Sequence, residues 1–455
     1  MTTSENTSLE QQIDQWRHFL RRRQAIQPVD VAELEDHLRE QIDGLTASGL
    51  AADEAFLVAV KRIGALDALS REFAREHSDR LWKQLVLLPS GGEQQSGQVA
   101  TEAAAAVLCA VAAAFMVKLP LLFGLTMQEH EFFYVRNMSF FVLPLLAFFF
   151  LRQRRLTAAT LIRFAAAFAG AAVLANVYSF VPGGSTEVLT VLHLPIALWF
   201  VVGVAYAGVR WTDVAGRMDF IRFSGELFIY YVLIALGGGV FTAFLAMLFA
   251  MIGITPDWFI QTWLIPCGAA GAVIIAAWLV GAKQSVIENM APVLTRLFTP
   301  LFTLLLVSFL ATLLLTGRGV DIDREVLIAF DLLLVVVLGL LLYAISARDP
   351  HQAPGVFDAM QVVLVVSALL ADAVALWAIS ARISEYGFTP NRVAALGVNI
   401  LLLVNLTWSA HLYIRFIRGG GTFGALERWQ TAYLPVYALW AVVVVLVFPP
   451  LFGFR

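Results

Sequence analysis

Cysteine is scarce in this chain. The two cysteines are Cys109 and Cys267, and each lies inside an apolar stretch. A disulfide framework or a structural zinc site needs several thiols at short spacings. The sequence therefore predicts neither a disulfide scaffold nor a metal site.

Charged residues are scarce as well. They make up 14% of the 455 residues, whereas soluble domains average about 25%. Hydrophobic residues make up 59%, and a soluble protein this apolar would need a larger core than single domains build. The composition predicts that lipid covers much of the surface.

Signatures of catalysis and of nucleic-acid binding are also missing. The sequence contains no glycine-rich phosphate loop, no HExxH and no GxSxG elbow, which argues against an ATPase or a familiar protease. Residues 1–90 hold 11 Lys and Arg against 15 Asp and Glu, without the basic stripe that nucleic acid requires. We predict no catalytic residue, no cofactor and no nucleic-acid partner. An unfamiliar membrane enzyme stays as a weak third option.

What the chain does have is long apolar stretches. Eleven of them are long enough to cross a hydrocarbon core of about 30 Å as helices. The second is short and rich in phenylalanine. The eleven predicted spans are 101–124, 133–151, 157–180, 188–208, 226–252, 260–281, 296–316, 325–346, 358–381, 393–415 and 432–452.

The loops between the spans give an independent test, since cytoplasmic loops carry the excess of Lys and Arg. With a cytoplasmic N-terminus, twelve basic residues fall in the inner loops and five in the outer loops. One helix more or fewer would reverse the sign of every later loop. The alternation favours eleven spans in a bacterial inner membrane, with the C-terminus outside.

Before the first span, residues 1–88 form a predicted soluble four-helix domain. Its second helix opens at a capping pair, Asp30 and Glu33, and its apolar stripe is Leu34, Leu38, Ile42 and Leu45. Residues 89–100 are polar and glycine-rich, which predicts a flexible linker. The first apolar stretch begins too late for a cleavable signal peptide, so we expect the domain in the cytoplasm.

Four polar residues lie inside the predicted spans eight to ten. They are Asp331, Asp372, Asn399 and Asn405. Ionisable groups in the membrane are costly and are functional candidates by default. The cluster could bind a cation or relay protons. Alternatively, it only holds helices together by interhelical hydrogen bonds. Three other charged residues, Lys118, Arg163 and Glu226, are predicted near helix ends, where the side chain can reach the interface.

The loop after the ninth span carries a second candidate group. Its members are Arg382, Glu385, Asn391 and Arg392. Thr389 is predicted to cap the tenth helix, with Pro390 at the first helical position, and Gly387 can end the ninth helix. This turn chemistry leaves the four charged and amide residues unexplained.

Three strings in the C-terminal half carry a resemblance to a family. They are Arg348-Asp349-Pro350, Ala368-Leu369-Leu370-Ala371-Asp372 and Tyr386-Gly387-Phe388-Thr389-Pro390-Asn391-Arg392. With them, roughly residues 220–455 resemble the bacterial membrane family called domain of unknown function 4153, which implies a fold and a location but no activity.

A second resemblance lies in the N-terminal domain. It rests on Leu34-Glu35-Asp36-His37-Leu38-Arg39-Glu40, Glu54-Ala55 and Arg62-Ile63-Gly64. Residues 1–88 are similar to small helical domains of the permease-prefix and HAAS type. The similarity implies a role in signalling beside a permease-like membrane part.

Two functions remain open at this point. In the first, favoured here, the chain is a membrane sensor or regulator whose residues 1–88 bind a cytoplasmic protein. In the second, it is a secondary transporter in which Asp372 and Asp331 bind a coupling ion or a substrate. The tethered domain favours the first, and the intramembrane carboxylates favour the second.

Overall fold

The computed structural model describes residues 28–47, 93–154, 157–251, 254–282, 290–316, 324–350 and 352–455, together with residues 9, 13, 50, 55, 56, 58 and 59. All regular secondary structure in these residues is helical, with turns and irregular segments between the helices. The chain divides into two compact units, Met1–Ser96 and Gly97–Arg455.

In the first unit the described helix is α1, Pro28–Ala47. It corresponds to the second predicted helix and begins two residues before the predicted cap. Three residues of the predicted stripe are buried, Leu38, Ile42 and Leu45, and they pack with Ile13, Ala55 and Ala59. The first and fourth predicted helices lie largely or wholly outside the described residues.

The second unit confirms the all-α transmembrane bundle. Within the described residues, eleven helices are long and apolar enough to cross a membrane. They are α2 (Glu93–Lys118), α3 (Glu131–Gln153), α4 (Ala158–Val177), α5 (Ser185–Ala207), α6 (Val214–Met251), α7 (Asp257–Ala282), α8 (Met290–Thr316), α9 (Arg324–Ala347), α10 (Val356–Tyr386), α11 (Pro390–Ile417) and α12 (Gly424–Leu446). A short α13, Phe448–Leu451, follows. The Phe-rich second span is helical throughout as α3.

The structure differs from the prediction at the linker. The sequence predicts a flexible linker over residues 89–100, but α2 begins at Glu93, so residues 93–100 are helical. Glu93, Gln94, Gln95 and Gln98 are good helix formers. The apolar span therefore extends its helix toward the N-terminus, because each added residue gains one backbone hydrogen bond.

Contacts between helix ends support the alternation of eleven crossings. If the helices alternate, α3 and α5 end on the same side of the bundle, and α5 and α11 start on the opposite side. Arg154 at the end of α3 donates to the carbonyl of Ala207 at the end of α5. Asn391 at the start of α11 donates to Ser185 at the start of α5. The side where α2 begins is called the starting side below, and the opposite side the far side.

The bundle has two packed cores. One is built mainly from α2 to α7, and the other mainly from α8 to α12 with the start of α6. In the second core α10 packs along α11 and also contacts α8 and α9. This arrangement brings the three helices that carry the predicted polar cluster together.

Candidate functional site

Asp372 lies near the middle of α10, on the order of 20 Å from either end at 1.5 Å per residue. Its side chain is fully buried, with 0% exposure. Among the described residues, neither carboxylate oxygen has a hydrogen-bond partner. A buried charge without a partner is strongly unfavourable. The group is therefore placed to take up a proton or to hold a cation.

Asp331 and Asn399 form a direct link between α9 and α11. The Asn399 amide nitrogen donates to Asp331 Oδ1 at 2.8 Å and to the Ala395 carbonyl at 2.8 Å. The other end of this amide, Asn399 Oδ1, is buried and has no partner within the described part of the chain. The Asp331 carboxylate also interacts electrostatically with that of Asp372.

Together these residues place carboxylate and amide oxygens in one region of the bundle. Within this region Asp331 and Asn399 lie closer to the far side of the bundle than Asp372 does. Oxygen ligands suit protons and hard cations. Within the described residues, no three His, Cys, Asp or Glu side chains are gathered in a way that could hold a metal ion.

Asn405 does not join this region and instead belongs to a separate network. Its amide and that of Gln430 on α12 exchange two hydrogen bonds of 3.0 and 3.3 Å. Gln430 also donates to Ser409 Oγ at 2.7 Å. All three residues are fully buried. Gln430 was missed from the sequence because it lies near a helix start, where a polar residue is ordinary.

The turn between α10 and α11 has the predicted chemistry. Thr389 caps α11 by accepting from the Arg392 backbone N–H, and Pro390 occupies the first turn. Gly387 ends α10 in the left-handed region at φ 76°, a conformation that glycine adopts without steric cost. Both predictions are confirmed.

The four outer-loop candidates have different environments. Arg392 donates to the carbonyls of Tyr386 and Gly387 at 3.1 and 2.9 Å, which satisfies the end of α10. Asn391 reaches across to α5 through Ser185. Arg382 is half-buried and Glu385 is exposed. Arg392 and Asn391 therefore hold the turn and dock it on α5.

Of the three charged residues predicted to reach the interface, Arg163 is exposed, but the other two are buried instead. Lys118 is 9% exposed and Glu226 is 6% exposed. The Lys118 ammonium donates to the carbonyl of Thr262 and lies 4.7 Å from the centre of the Trp263 ring. Thr262 and Trp263 belong to a π-helical stretch of α7, where the widened turn changes the backbone pairing. The expectation failed because helix position does not reveal which neighbour a side chain faces.

A strong ion pair at the starting side was also missed. Arg348 donates to both oxygens of Asp358, at 2.8 and 3.1 Å, and its guanidinium lies 4.5 Å from the Phe423 ring centre. Asp358 accepts in addition from the Gly355 N–H at 2.8 Å. The pair ties the end of α9 to the start of α10. The sequence signal was the charge pair ten residues apart across a proline-containing loop.

The comparisons with known proteins give no further assignment. The chain matches no protein-family model, no curated protein and no solved structure. The resemblances to domain of unknown function 4153 and to the permease-prefix and HAAS type therefore stay predictions.

Proposed function

We propose that this integral membrane protein is a secondary transporter coupled to protons or to a monovalent cation, with Asp372 as the coupling residue. One observation carries the proposal. Asp372 is a fully buried carboxyl group in mid-helix, and neither of its oxygens has a hydrogen-bond partner among the described residues.

The contrast with Asn405 supports this proposal over a purely structural role. A residue that only holds helices together must make an interhelical hydrogen bond, as Asn405 does with Gln430. Asp372 makes no such bond within the described residues. Asp331 and Asn399 provide further oxygens in the same part of the bundle. In the proposal Asp331 and Asn399 stabilise the ion-bound state, while Asp372 itself binds the ion or proton.

The proposal keeps the expected location, a bacterial inner membrane with a cytoplasmic N-terminus and lipid as the surrounding partner. In this orientation the starting side faces the cytoplasm. Asp331 and Asn399 then lie between Asp372 and the outer surface. An ion would reach Asp372 from outside past these two residues.

The experiment compares the full-length protein with Asp372→Asn, which keeps the side-chain shape and removes the charge. Melting temperatures of the purified protein are measured in sodium, potassium and lithium chloride at equal ionic strength and over a range of pH. We expect stabilisation that depends on the ion or on pH in the wild type and its loss in the variant. Reconstituted vesicles then report sodium or proton flux.

The matched control is Asp257→Asn, since Asp257 is an exposed carboxylate at the start of α7. It should leave both readouts unchanged. An Asp372→Asn protein that keeps the wild-type ion response and flux would refute the coupling role.

We propose a sensor or regulator as the second candidate function. It is supported by the separation of Met1–Ser96 as a compact unit of its own, with a small core around Leu38 and Ile42. In this role the unit binds a cytoplasmic protein. Two results together would favour this candidate. One protein would co-purify with the full-length chain but not with the Leu38→Asp variant, and the ion response would survive in Asp372→Asn.

A further inference from the structure

A cavity of about 270 Å³ lies in the first core, away from Asp372. It is formed between α2, α3, α5, α6 and α7, at their ends on the starting side. None of the helices α8 to α11 contributes to its lining. The lining residues used below are Glu102, Phe150, Arg154, Tyr206, Phe223 and Trp278.

One wall of the cavity is a cluster of aromatic rings from three helices. The rings of Tyr206 and Phe223 are stacked with centres 4.5 Å apart. Phe150 meets both of them edge-on, at 5.2 and 5.3 Å. Because these contacts fix the rings against one another, the wall is formed before any ligand binds.

A fourth ring, that of Trp278, comes from α7. Its indole N–H is buried and has no acceptor among the described residues. Because the nitrogen itself is closed off from open space, Trp278 offers the cavity its ring and not its N–H.

Two charged residues line the cavity, and they differ in what they already bind. Arg154 donates to the backbone carbonyls of Ala207 and Tyr206. Its positive charge thereby offsets the negative end of the α5 dipole. Glu102 is half-buried, and among the described residues it has no ion pair. Of the two, the Glu102 carboxylate is therefore the group whose hydrogen-bonding capacity is still open to a ligand.

We propose that this cavity binds a small quaternary ammonium cation of the choline type. Aromatic faces attract a quaternary ammonium through their negative ring quadrupoles. Glu102 adds a carboxylate to the lining, and Trp278 adds a further aromatic ring. The volume suits a molecule of this size and excludes a long acyl chain. This proposal does not depend on the coupling role of Asp372, because choline binding can be measured in the absence of transport.

The test uses choline and its uncharged isostere 3,3-dimethylbutan-1-ol with the full-length protein. The protein is purified in a maltoside detergent, which has no ammonium headgroup, and binding is followed by isothermal titration calorimetry. We expect the isostere to bind at least about tenfold more weakly, since the cation–π and ionic terms together exceed about 1.4 kcal/mol. Equal affinity for the two compounds, or no binding of choline, would overturn the proposal.

Two variants and two controls locate the site. Glu102→Gln and Trp278→Leu should each weaken choline binding by about five- to tenfold. As controls, Glu385→Gln removes a carboxylate and Trp377→Leu removes an indole ring, both at exposed positions on α10. These two variants should leave choline binding unchanged. The melting temperature of each protein verifies folding. If neither Glu102→Gln nor Trp278→Leu weakens binding while both remain folded, choline does not occupy this cavity.

The same chemistry occurs in a free solute and in a lipid headgroup. Repeating the titration in phosphatidylcholine and phosphatidylglycerol nanodiscs separates the two sources. Weaker apparent choline binding in phosphatidylcholine nanodiscs than in phosphatidylglycerol nanodiscs would show that the lipid headgroup competes for the site. Equal binding in both would indicate a free solute as the ligand.

Discussion

Individual polar residues in this bundle differ mainly in their partners. Asn405 and Gln430 satisfy each other across α11 and α12, whereas Asp372 has two buried oxygens without a hydrogen bond among the described residues. Both positions are fully buried. Burial alone therefore does not distinguish these two positions, whereas their hydrogen-bond partners do.

This difference predicts opposite effects on stability. Asn405→Leu removes the partner of Gln430 and should lower the free energy of unfolding by about 1–2 kcal/mol, as measured by denaturation in mixed micelles. Asp372→Asn removes a buried charge and should leave stability equal or higher. If Gln430→Leu and Asn405→Leu destabilise additively in the double variant, the two amides are not coupled.

Pairs of helices are held by close approach as well as by hydrogen bonds. Gly397 on α11 lies directly against the Trp440 ring of α12, so a Cβ atom at this position would overlap the ring. A Cβ atom added at Gly339 on α9 would instead meet open space, with no atom of a neighbouring residue within 4 Å. The two glycines are both helical, but only one is required by packing.

The matched pair Gly397→Ala and Gly339→Ala tests this packing. Gly397→Ala should destabilise the protein by about 1–3 kcal/mol through overpacking. Gly339→Ala should be neutral or should stabilise by about 0.5–1 kcal/mol, because alanine favours the helix. Thermal unfolding of the two variants is the measurement. Equal melting temperatures would show that Trp440 moves aside without cost.

At the level of the whole molecule, eleven crossings place the turn after α10 and the turn after α11 on opposite sides of the membrane. Glu385 lies at the first of these turns, and Gly420 at the second. The Arg154–Ala207 and Asn391–Ser185 contacts agree with that alternation.

Labelling of single cysteines in intact cells tests the crossing pattern and the proposed orientation together. In a background in which Cys109 and Cys267 are replaced by alanine, we expect a membrane-impermeant maleimide to label Glu385→Cys in intact cells. Gly420→Cys should be labelled only after permeabilisation. Labelling of both positions from outside would contradict the alternation, and a reversed pattern would contradict the orientation.

The number of crossings and the chemistry of the α10–α11 turn follow from the sequence alone. A membrane helix satisfies its backbone hydrogen bonds locally, so a sufficiently long apolar stretch is enough to identify it. The Thr389 cap and the Gly387 terminus also depend on neighbouring residues only. Such features need no knowledge of the rest of the fold.

Only the tertiary structure decided which polar groups meet. It paired Asn405 with Gln430 and Asp331 with Asn399, and it turned Lys118 inward toward Thr262. Helices that are apolar on every side carry no stripe that fixes their rotation. Their orientation is set by packing against neighbours far away in the sequence, and the polar contacts follow from that packing.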